Sequence, residues 1–359
     1  MPNSNTLTIT GLQAQAIRLP LRKPFRNSSG ALTTIPLILT EMKSARGIVG
    51  RSIVFAYNDL ALKPLAELIN NMAPNSPVSA ATLEKQLEQR CRLLGLQGLV
   101  GMALAAIDIA LWDALAKRHE CNLIELLGGE PERIPAYAAI GFEGARGSAL
   151  AAKELTSQGF HGIKVSVGYA TVQEDLNVIQ AVRQMVGDEV DIMVDYNQCL
   201  SVKEAIERIR VLNDAGLSWV EEPIHSQNFK GLCQVRQTAD VAIQCGENWW
   251  NTEEVEQAIQ NNATDYIMLG VMKCGGVSGW LRAAELTRNH HIPLSSHFWP
   301  ELSTQLLSLT PTAHWLQYSD WWQILMKEPL KLHEGCGVVN EVPGAGMDWD
   351  ESIANYYRV

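Results

Sequence analysis

Near the N-terminus, apolar and polar side chains alternate in residues 6–20 (TLTITGLQAQAIRLP) and 34–42 (TIPLILTEM), which predicts two half-buried antiparallel strands. The run between them, Arg22 to Gly30, is polar and turn-rich and reads as an exposed loop. From Leu60 the pattern becomes helical. Met102 to Arg118 is apolar around most of its circumference, as a buried helix is. Leu-Leu-Gly-Gly at Leu126 to Gly129, followed by Pro131, ends this α+β region. After Pro135, short apolar runs alternate with amphipathic helices; the runs lie near Tyr137, Gly162, Val190, Leu217, Val241, Tyr266 and Ile292. Seven or eight strands, each followed by a helix, predict a (β/α)-barrel, with a doubly wound open sheet as the competing arrangement. Beyond Trp315 the rhythm fades into a glycine- and proline-bearing tail of loops and short strands that returns over the body. The expected divisions are 1–132, 133–320 and 321–359.

Composition narrows the function classes. With 359 residues and 47% hydrophobic content, the chain can bury a large core, so disorder is excluded. A formal charge of -10 argues against nucleic acid and anionic membrane as partners, since both demand a basic patch. The sequence shows no run of the roughly 20 apolar residues a membrane span needs, and its start lacks the layout of a secretory signal. Seven cysteines without a CxxC pair fit a reducing cytoplasm. The expected partner is a small molecule.

Three acids close successive strand candidates: Asp195, Glu221 and Glu247. Their separations are equal (221 − 195 = 26 and 247 − 221 = 26), close to the roughly 30 residues of one βα unit. A residue repeating once per unit returns to the same rim of a barrel, so all three converge on its C-terminal mouth. Crowded carboxylates need a cation between them, and oxygen-only ligation selects Mg²⁺, Mn²⁺ or Ca²⁺ over zinc. A single strand-end acid more often caps a helix or pairs with a lysine; three in matched register do not. Splayed oxygens, or a lysine ammonium filling the space between them, would reduce the site to an ordinary barrel end. Lys164 and His297 end the second and seventh strand candidates and reach the same mouth. There a base beside a divalent ion suits removal of the proton alpha to a carboxylate, because the metal stabilises the enediolate.

Several segments together resemble the mandelate racemase and muconate lactonizing branch of the enolase superfamily. They are Ala106 to Asp113 (AIDIALWD), Val194 to Gln198 (VDYNQ), Glu221-Glu222-Pro223, Gly246 to Trp249 (GENW), Lys273 to Val277 (KCGGV) and Ser295-Ser296-His297. Phe55-Ala56-Tyr57, Gly279-Trp280 and Pro311 to Leu316 are similar to mandelate racemase in particular. The resemblance covers essentially the whole chain. It implies a modified (β/α)₇β barrel under an α+β cap completed by the C-terminal tail. It also implies Mg²⁺ on Asp195, Glu221 and Glu247, substrate carboxylate at Lys164, and an alpha substituent at Asn197. Loops from Arg22 to Leu32 and from Phe55 to Tyr57 would line the substrate pocket, and Lys273 joins that binding set. Homo-oligomers are common in such families.

Three positions depart from the family pattern, all at the chemistry. Ser166 stands where a second lysine base is expected, and a serine alkoxide is too costly near neutral pH to replace it. Gly270 stands where an aspartate would orient His297. Gln317 replaces a glutamic acid, although an amide N–H still donates there. The expectation is chemistry on one face of the substrate, with His297 or Lys164 as base: dehydration or isomerisation of a small hydroxy or sugar acid. The alternatives are a degenerate member that binds metal and carboxylate without turnover and, more distantly, another metal-dependent barrel enzyme such as an aldolase. Arg22, Lys23 and Arg26 suggest a second cation suited to a diacid or sugar acid; Phe25, Phe55, Tyr57, Phe298 and Trp299 suggest an aromatic wall.

Overall fold

The computed structural model describes residues 7–359, so Thr6 of the first predicted strand and the polar start before it lie outside the described residues. The N-terminal part forms a four-stranded antiparallel sheet from β1 (Thr8–Asn27), β2 (Gly30–Ser44), β3 (Val49–Phe55) and β4 (Val78–Ser79), in the order β3-β2-β1-β4. The helices α1 (Asp59–Asn71), α2 (Ala80–Cys91) and α3 (Gly98–Arg118) accompany it.

The predicted Arg22–Gly30 loop is largely strand. After Pro20 pairs with Thr34, β1 bulges through residues 21–24, then pairing resumes at Phe25 with Leu32 and runs to Asn27 with Gly30. Arg22 and Lys23 sit in the exposed bulge, and the turn shrinks to Ser28 and Ser29. Polarity signalled exposure correctly; it did not signal the end of pairing, because an edge hairpin can be both polar and hydrogen-bonded.

A second correction concerns α3. By length and composition this helix is apolar enough to span a membrane, contrary to the expectation that no such stretch exists. It is a core helix here, with 78% of its most apolar window buried. Being apolar all round, it packs under the sheet on one side and against the barrel on the other; Ser52 Oγ donates to the Ala106 carbonyl at 2.7 Å and Trp112 Nε1 to Ser278 Oγ at 2.8 Å.

A short helix, α4 (Leu123–Leu126), leads into eight parallel strands: β5 (Ile134–Ile140), β6 (Gly162–Ser166), β7 (Asp191–Asp195), β8 (Trp219–Glu221), β9 (Ile243–Cys245), β10 (Tyr266–Gly270), β11 (Leu294–His297) and β12 (Ala313–Tyr318). Pairing of β12 with β5, from Leu316 with Ala136 to Tyr318 with Ala138, closes the barrel and excludes the open sheet. The first seven strands are each followed by a helix: α5 (Gly144–Ser157), α6 (Val172–Val186), α7 (Val202–Leu212), α8 (Phe229–Thr238), α9 (Asn251–Gln260), α10 (Gly276–His290) and α11 (Pro300–Ser308). β12 has none, which makes the barrel (β/α)₇β. Capping boxes at Thr171 with Glu174 and at Ser201 with Glu204 start α6 and α7 sharply after the mouth loops.

Strand alternation stacks the barrel interior. Tyr137, Met193, Trp219 and Met268 form one buried apolar layer. Two residues further along their strands come Asp195, Glu221 and Gly270, so the same period that fills the core presents the next layer to the mouth. The tail returns as β13 (Lys331–His333), β14 (Cys336–Val338), pairing with β5, and α12 (Glu351–Tyr356). Asp113 of α3 ties tail to cap by accepting from Arg51 N at 2.8 Å and Ala345 N at 2.7 Å, beside Lys117 at 2.7 Å.

Candidate active site

Asp195, Glu221 and Glu247 meet at the C-terminal mouth, buried, with one oxygen from each inside a span of 4.8 Å. Asp195 and Glu221 are neighbours in register on β7 and β8. Glu247 arrives differently. The inward residue of β9 is Gln244, whose amide donates to Glu221 Oε2 at 3.1 Å, so an unbroken strand would turn Glu247 outward. Gly246, at φ +134°, breaks the alternation; a Cβ there would fall 2.5 Å from the Met268 carbonyl oxygen. Positive φ at Asn197 (44°), Glu222 (38°), Phe298 (59°) and Trp299 (51°) marks further bends at the mouth, each costing about 1–3 kcal/mol that the surrounding packing must hold.

The acids are well supported. Glu221 Oε2 also accepts from Trp219 Nε1 at 3.1 Å, while Asp195 accepts from Asn197 N at 2.8 Å and Asn197 Nδ2 at 3.1 Å. Lys164 Nζ bridges Glu221 Oε1 and Asp195 Oδ2, the latter at 3.2 Å. An ammonium therefore does lie between two of the three acids. It does not balance them. Four buried carboxylates, Asp195, Glu221, Glu222 and Glu247, face two buried ammoniums, Lys164 and Lys273, and with every group in its ionised form 2 − 4 leaves −2. Burial, then the charges of Asp195 and Glu247, push Glu221 up to about 8 even against Lys164. Glu222 Oε1 has no partner among the described residues. A deficit of two positive charges, beside three converging oxygens with no nitrogen or sulfur donor among them, fits one hard divalent cation such as Mg²⁺.

His297 ends β11 with Nε2 3.3 Å from Glu247 Oε2. Burial, then the Lys164 and Lys273 ammoniums, hold its imidazole well below the ordinary value, so it is neutral. Its Nδ1 is buried without a partner among the described residues and faces Gly270, its register neighbour on β10. Ser166 closes β6, two positions beyond Lys164 and in register with Asp195, buried on the other side of the mouth. Gln317 on β12 accepts from Tyr137 OH at 3.2 Å through Oε1, which leaves its NH₂ as the free end.

Lys273 Nζ donates to Asn248 Oδ1 and lies 4.1 Å over the Tyr57 ring. Asn248 Nδ2 in turn reaches Glu222 Oε2 at 2.7 Å and Glu247 Oε1 at 3.3 Å. The aromatic wall is real and larger than the sequence suggested. Phe25 packs on Trp321 at 5.1 Å, Trp321 on Phe298 at 5.2 Å, Phe298 on Phe55 at 6.0 Å and on His297 at 4.0 Å, and Phe55 on Tyr57 at 4.6 Å. Trp299 stacks instead on Trp322 at 4.2 Å, behind the wall. Arg26 is not brought to the mouth: as strand neighbour of the inward Phe25 it points the other way and is exposed. Its backbone does matter, since the Arg26 carbonyl accepts from Phe142 N at 2.7 Å and docks the hairpin on the barrel. Sequence reading missed Trp321, Asn248, Tyr137 and Trp219; only the two-residue period below each mouth residue pointed to the last.

Comparison with known proteins agrees with this geometry. Residues 10–128 match the family description "Mandelate racemase / muconate lactonizing enzyme, N-terminal domain", and residues 148–353 match "Enolase C-terminal domain-like". An enolase from Bradyrhizobium complexed with magnesium and mandelic acid superposes with TM-score 0.94 at 38% identity, covering 100% of both chains. L-talarate/galactarate dehydratase from Salmonella typhimurium is 28% identical over 99% of this chain and 94% of its own; its structure liganded with Mg and L-lyxarohydroxamate gives TM-score 0.91 at 27% identity, covering 98% of this chain and 93% of that one. N-succinyl-L-Arg/Lys racemase from Bacillus cereus is 27% identical over 76% of this chain and 74% of its own. The neighbours hold magnesium, and Asp195, Glu221 and Glu247 form a set able to hold it here. This chain belongs to the mandelate racemase and muconate lactonizing branch of the enolase superfamily.

Proposed function

We propose that the protein is a Mg²⁺-dependent enzyme that removes the proton alpha to the carboxylate of a small alpha-hydroxy acid from one face only. The observation carrying this reading is asymmetry across the mouth: His297 stands beside Glu247 on one side, and the hydroxyl of Ser166 stands on the other. A bound divalent ion would supply charge to the substrate carboxylate and lower the cost of removing its alpha proton. His297 Nε2 takes that proton, since Lys164 is clasped by two carboxylates and serves as a fixed positive charge. The Gln317 amide donates to the carboxylate oxygen on which charge develops. The Ser166 hydroxyl is too weak an acid, and its alkoxide too costly, to exchange a proton on the opposite face near neutral pH, which favours elimination or same-face return over racemisation.

The wall of Phe25, Phe55, Phe298 and Trp321 beside His297 favours an apolar or aryl substituent. Arg22, Lys23 and Arg26 are all exposed and add nothing to a sugar-acid preference; a sugar acid stays in the substrate class on the likeness to L-talarate/galactarate dehydratase. The test is solvent-deuterium exchange over a panel of aryl, aliphatic and polyhydroxy acids, with and without Mg²⁺. Exchange at a single configuration, dependent on Mg²⁺, is expected; equal exchange at both configurations sinks the one-face reading. The orphaned Nδ1 of His297 favours a second reading, binding without turnover, which predicts Mg²⁺-dependent ligand binding with no exchange in any member of the panel.

A further inference from the structure

We infer that the end of α2, the loop after it and the groove between α9 and α10 form a two-fold contact between two copies of this chain, in which Leu93 and Leu94 of each copy enter the groove of the other.

The loop supplies the projecting half. Leu93, Leu94 and Leu96 are 92%, 69% and 42% exposed. Single exposed leucines are ordinary, but a contiguous apolar patch marks a contact surface. No other four-residue stretch among the described residues holds more than two large exposed hydrophobics. A Cβ on Gly95 would meet nothing within 4 Å, so the loop stands clear of the body. Two arginines flank the leucines: Arg90 donates to the Asn71 carbonyl at 3.1 Å, and Arg92 is exposed with no ion pair among the described residues. The groove supplies the receiving half. Its volume is about 410 Å³, within the roughly 300–1,000 Å³ of functional clefts. Trp112 of α3 and Leu281 and Leu286 of α10 give it apolar walls, and Glu253, Glu256 and Glu285 stand on it as exposed acids. Glu285 pairs with Arg288, whereas Glu253 and Glu256 make no ion pair among the described residues. The one cation lining the groove, Arg282, acts on Glu84 of α2 and Asp108 of α3. The knob is therefore apolar and basic, and the socket apolar and acidic.

The two halves share one face of the molecule. Gln97, where the loop ends, donates through Nε2 to Glu254 Oε1 of α9 at 2.8 Å. A Cβ on Gly101 would fall 2.4 Å from the Leu96 carbonyl oxygen and 3.3 Å from the ring of Trp250, the residue before α9. Within one chain the knob stays exposed and the groove open; a two-fold axis between them fills both grooves at once. That symmetry selects a second copy over an unrelated partner, which would need its own knob and socket at matching spacing. At a formal charge of -10 two copies repel overall, so the contact depends on local pairing of Arg92 with Glu253 and Glu256 around the leucines.

The test is sedimentation velocity on the full chain at about 10 µM. The wild type should contain an even number of chains. Leu93→Asp combined with Leu94→Asp changes only exposed side chains, so the fold, read by circular dichroism, should persist while the mass falls by about twofold or more. Arg92→Glu, and separately Glu253→Lys with Glu256→Lys, should each have the same effect, because like charges then meet across the contact. Mixing those two variants should restore the wild-type mass: the new glutamate of one faces the new lysines of the other, and the second half of the two-fold contact keeps its native charges. The inference is overturned if the wild type is a single chain, which would leave this surface to a different partner. It is equally overturned if the double aspartate variant keeps the wild-type mass, or if the mixture is no heavier than either charge-reversed variant alone.

Discussion

The two sides of the barrel mouth are built to opposite standards. On the β7–β9 side every candidate metal ligand is held from behind: Asp195 by both nitrogens of Asn197, Glu221 by Trp219, Gln244 and Lys164, Glu247 by Asn248. On the β10–β11 side His297 has one neighbour at 3.3 Å and an empty-handed Nδ1. Such a difference separates two functions that share one site. Electrostatic capture of a carboxylate needs rigid, prepaid geometry, whereas proton transfer needs a group whose hydrogen-bonding changes during the reaction. The complete side accounts for binding, and the incomplete side decides whether binding becomes turnover.

The largest separation between the two sides should come from His297→Asn. Loss of a general base costs about 10²–10⁴ in rate, so alpha-proton exchange should fall by about a thousandfold while Mg²⁺ affinity, read by calorimetry, stays within about twofold. If Mg²⁺ affinity collapses as well, His297 belongs to the metal side and the division is wrong. Glu221→Gln is the converse. It keeps an acceptor for the Trp219 indole and the Gln244 amide but removes one of three converging charges, so Mg²⁺ should bind about a hundredfold more weakly in a protein that still folds. Unchanged affinity would dismiss the carboxylate cluster as the cation site. Gly270→Asp should then raise exchange by about tenfold, by giving Nδ1 a permanent acceptor. A drop in rate would show that the position facing Nδ1 serves something else.

The two sides also differed in how plainly the sequence announced them. The apolar runs after Pro135 declared a barrel because a buried strand and its helix write distinct periods. Asp195 and Glu221 followed directly, as strand-end residues in register. Glu247 obeyed the same 26-residue spacing for a different reason: it lies beyond the end of β9, and a bend at Gly246 restores its direction. Equal spacing was a correct guide to the rim and no guide to the face. The aromatic wall was half legible, since Phe25 and Phe55 lie in the cap strands but Trp321 comes from the tail, at the other end of the chain. No local pattern encodes that contact. The misread hairpin, Arg22 to Gly30, failed because side-chain polarity reports exposure while pairing depends on backbone partners. The bridging position of Lys164 was equally hidden; one-dimensional spacing places a lysine at the mouth without saying which oxygens it will hold.

The smallest expected effect tests where the cap belongs in this contrast. Tyr57 enters the mouth from the cap with φ 58°, its ring against Phe55 and under the Lys273 ammonium, yet its hydroxyl is buried with no partner among the described residues. Burial, then the charges of Glu247 and Glu222, push that phenol well above its ordinary value, so it remains an O–H donor throughout the accessible pH range. A donor kept unsatisfied at this point resembles His297 more than it resembles the supported acids. Tyr57→Phe removes the orphaned group and preserves both ring contacts, so the ligand-free protein should gain about 1 kcal/mol in urea unfolding. Its KM for the accepted hydroxy acid should rise by about fivefold with kcat little changed, as expected when a hydrogen bond to bound substrate is lost uniformly. Loss of stability in the phenylalanine variant would mean that the hydroxyl is a structural element of the cap, and would leave the incompleteness of the mouth to the unpartnered atoms of Glu222 and His297.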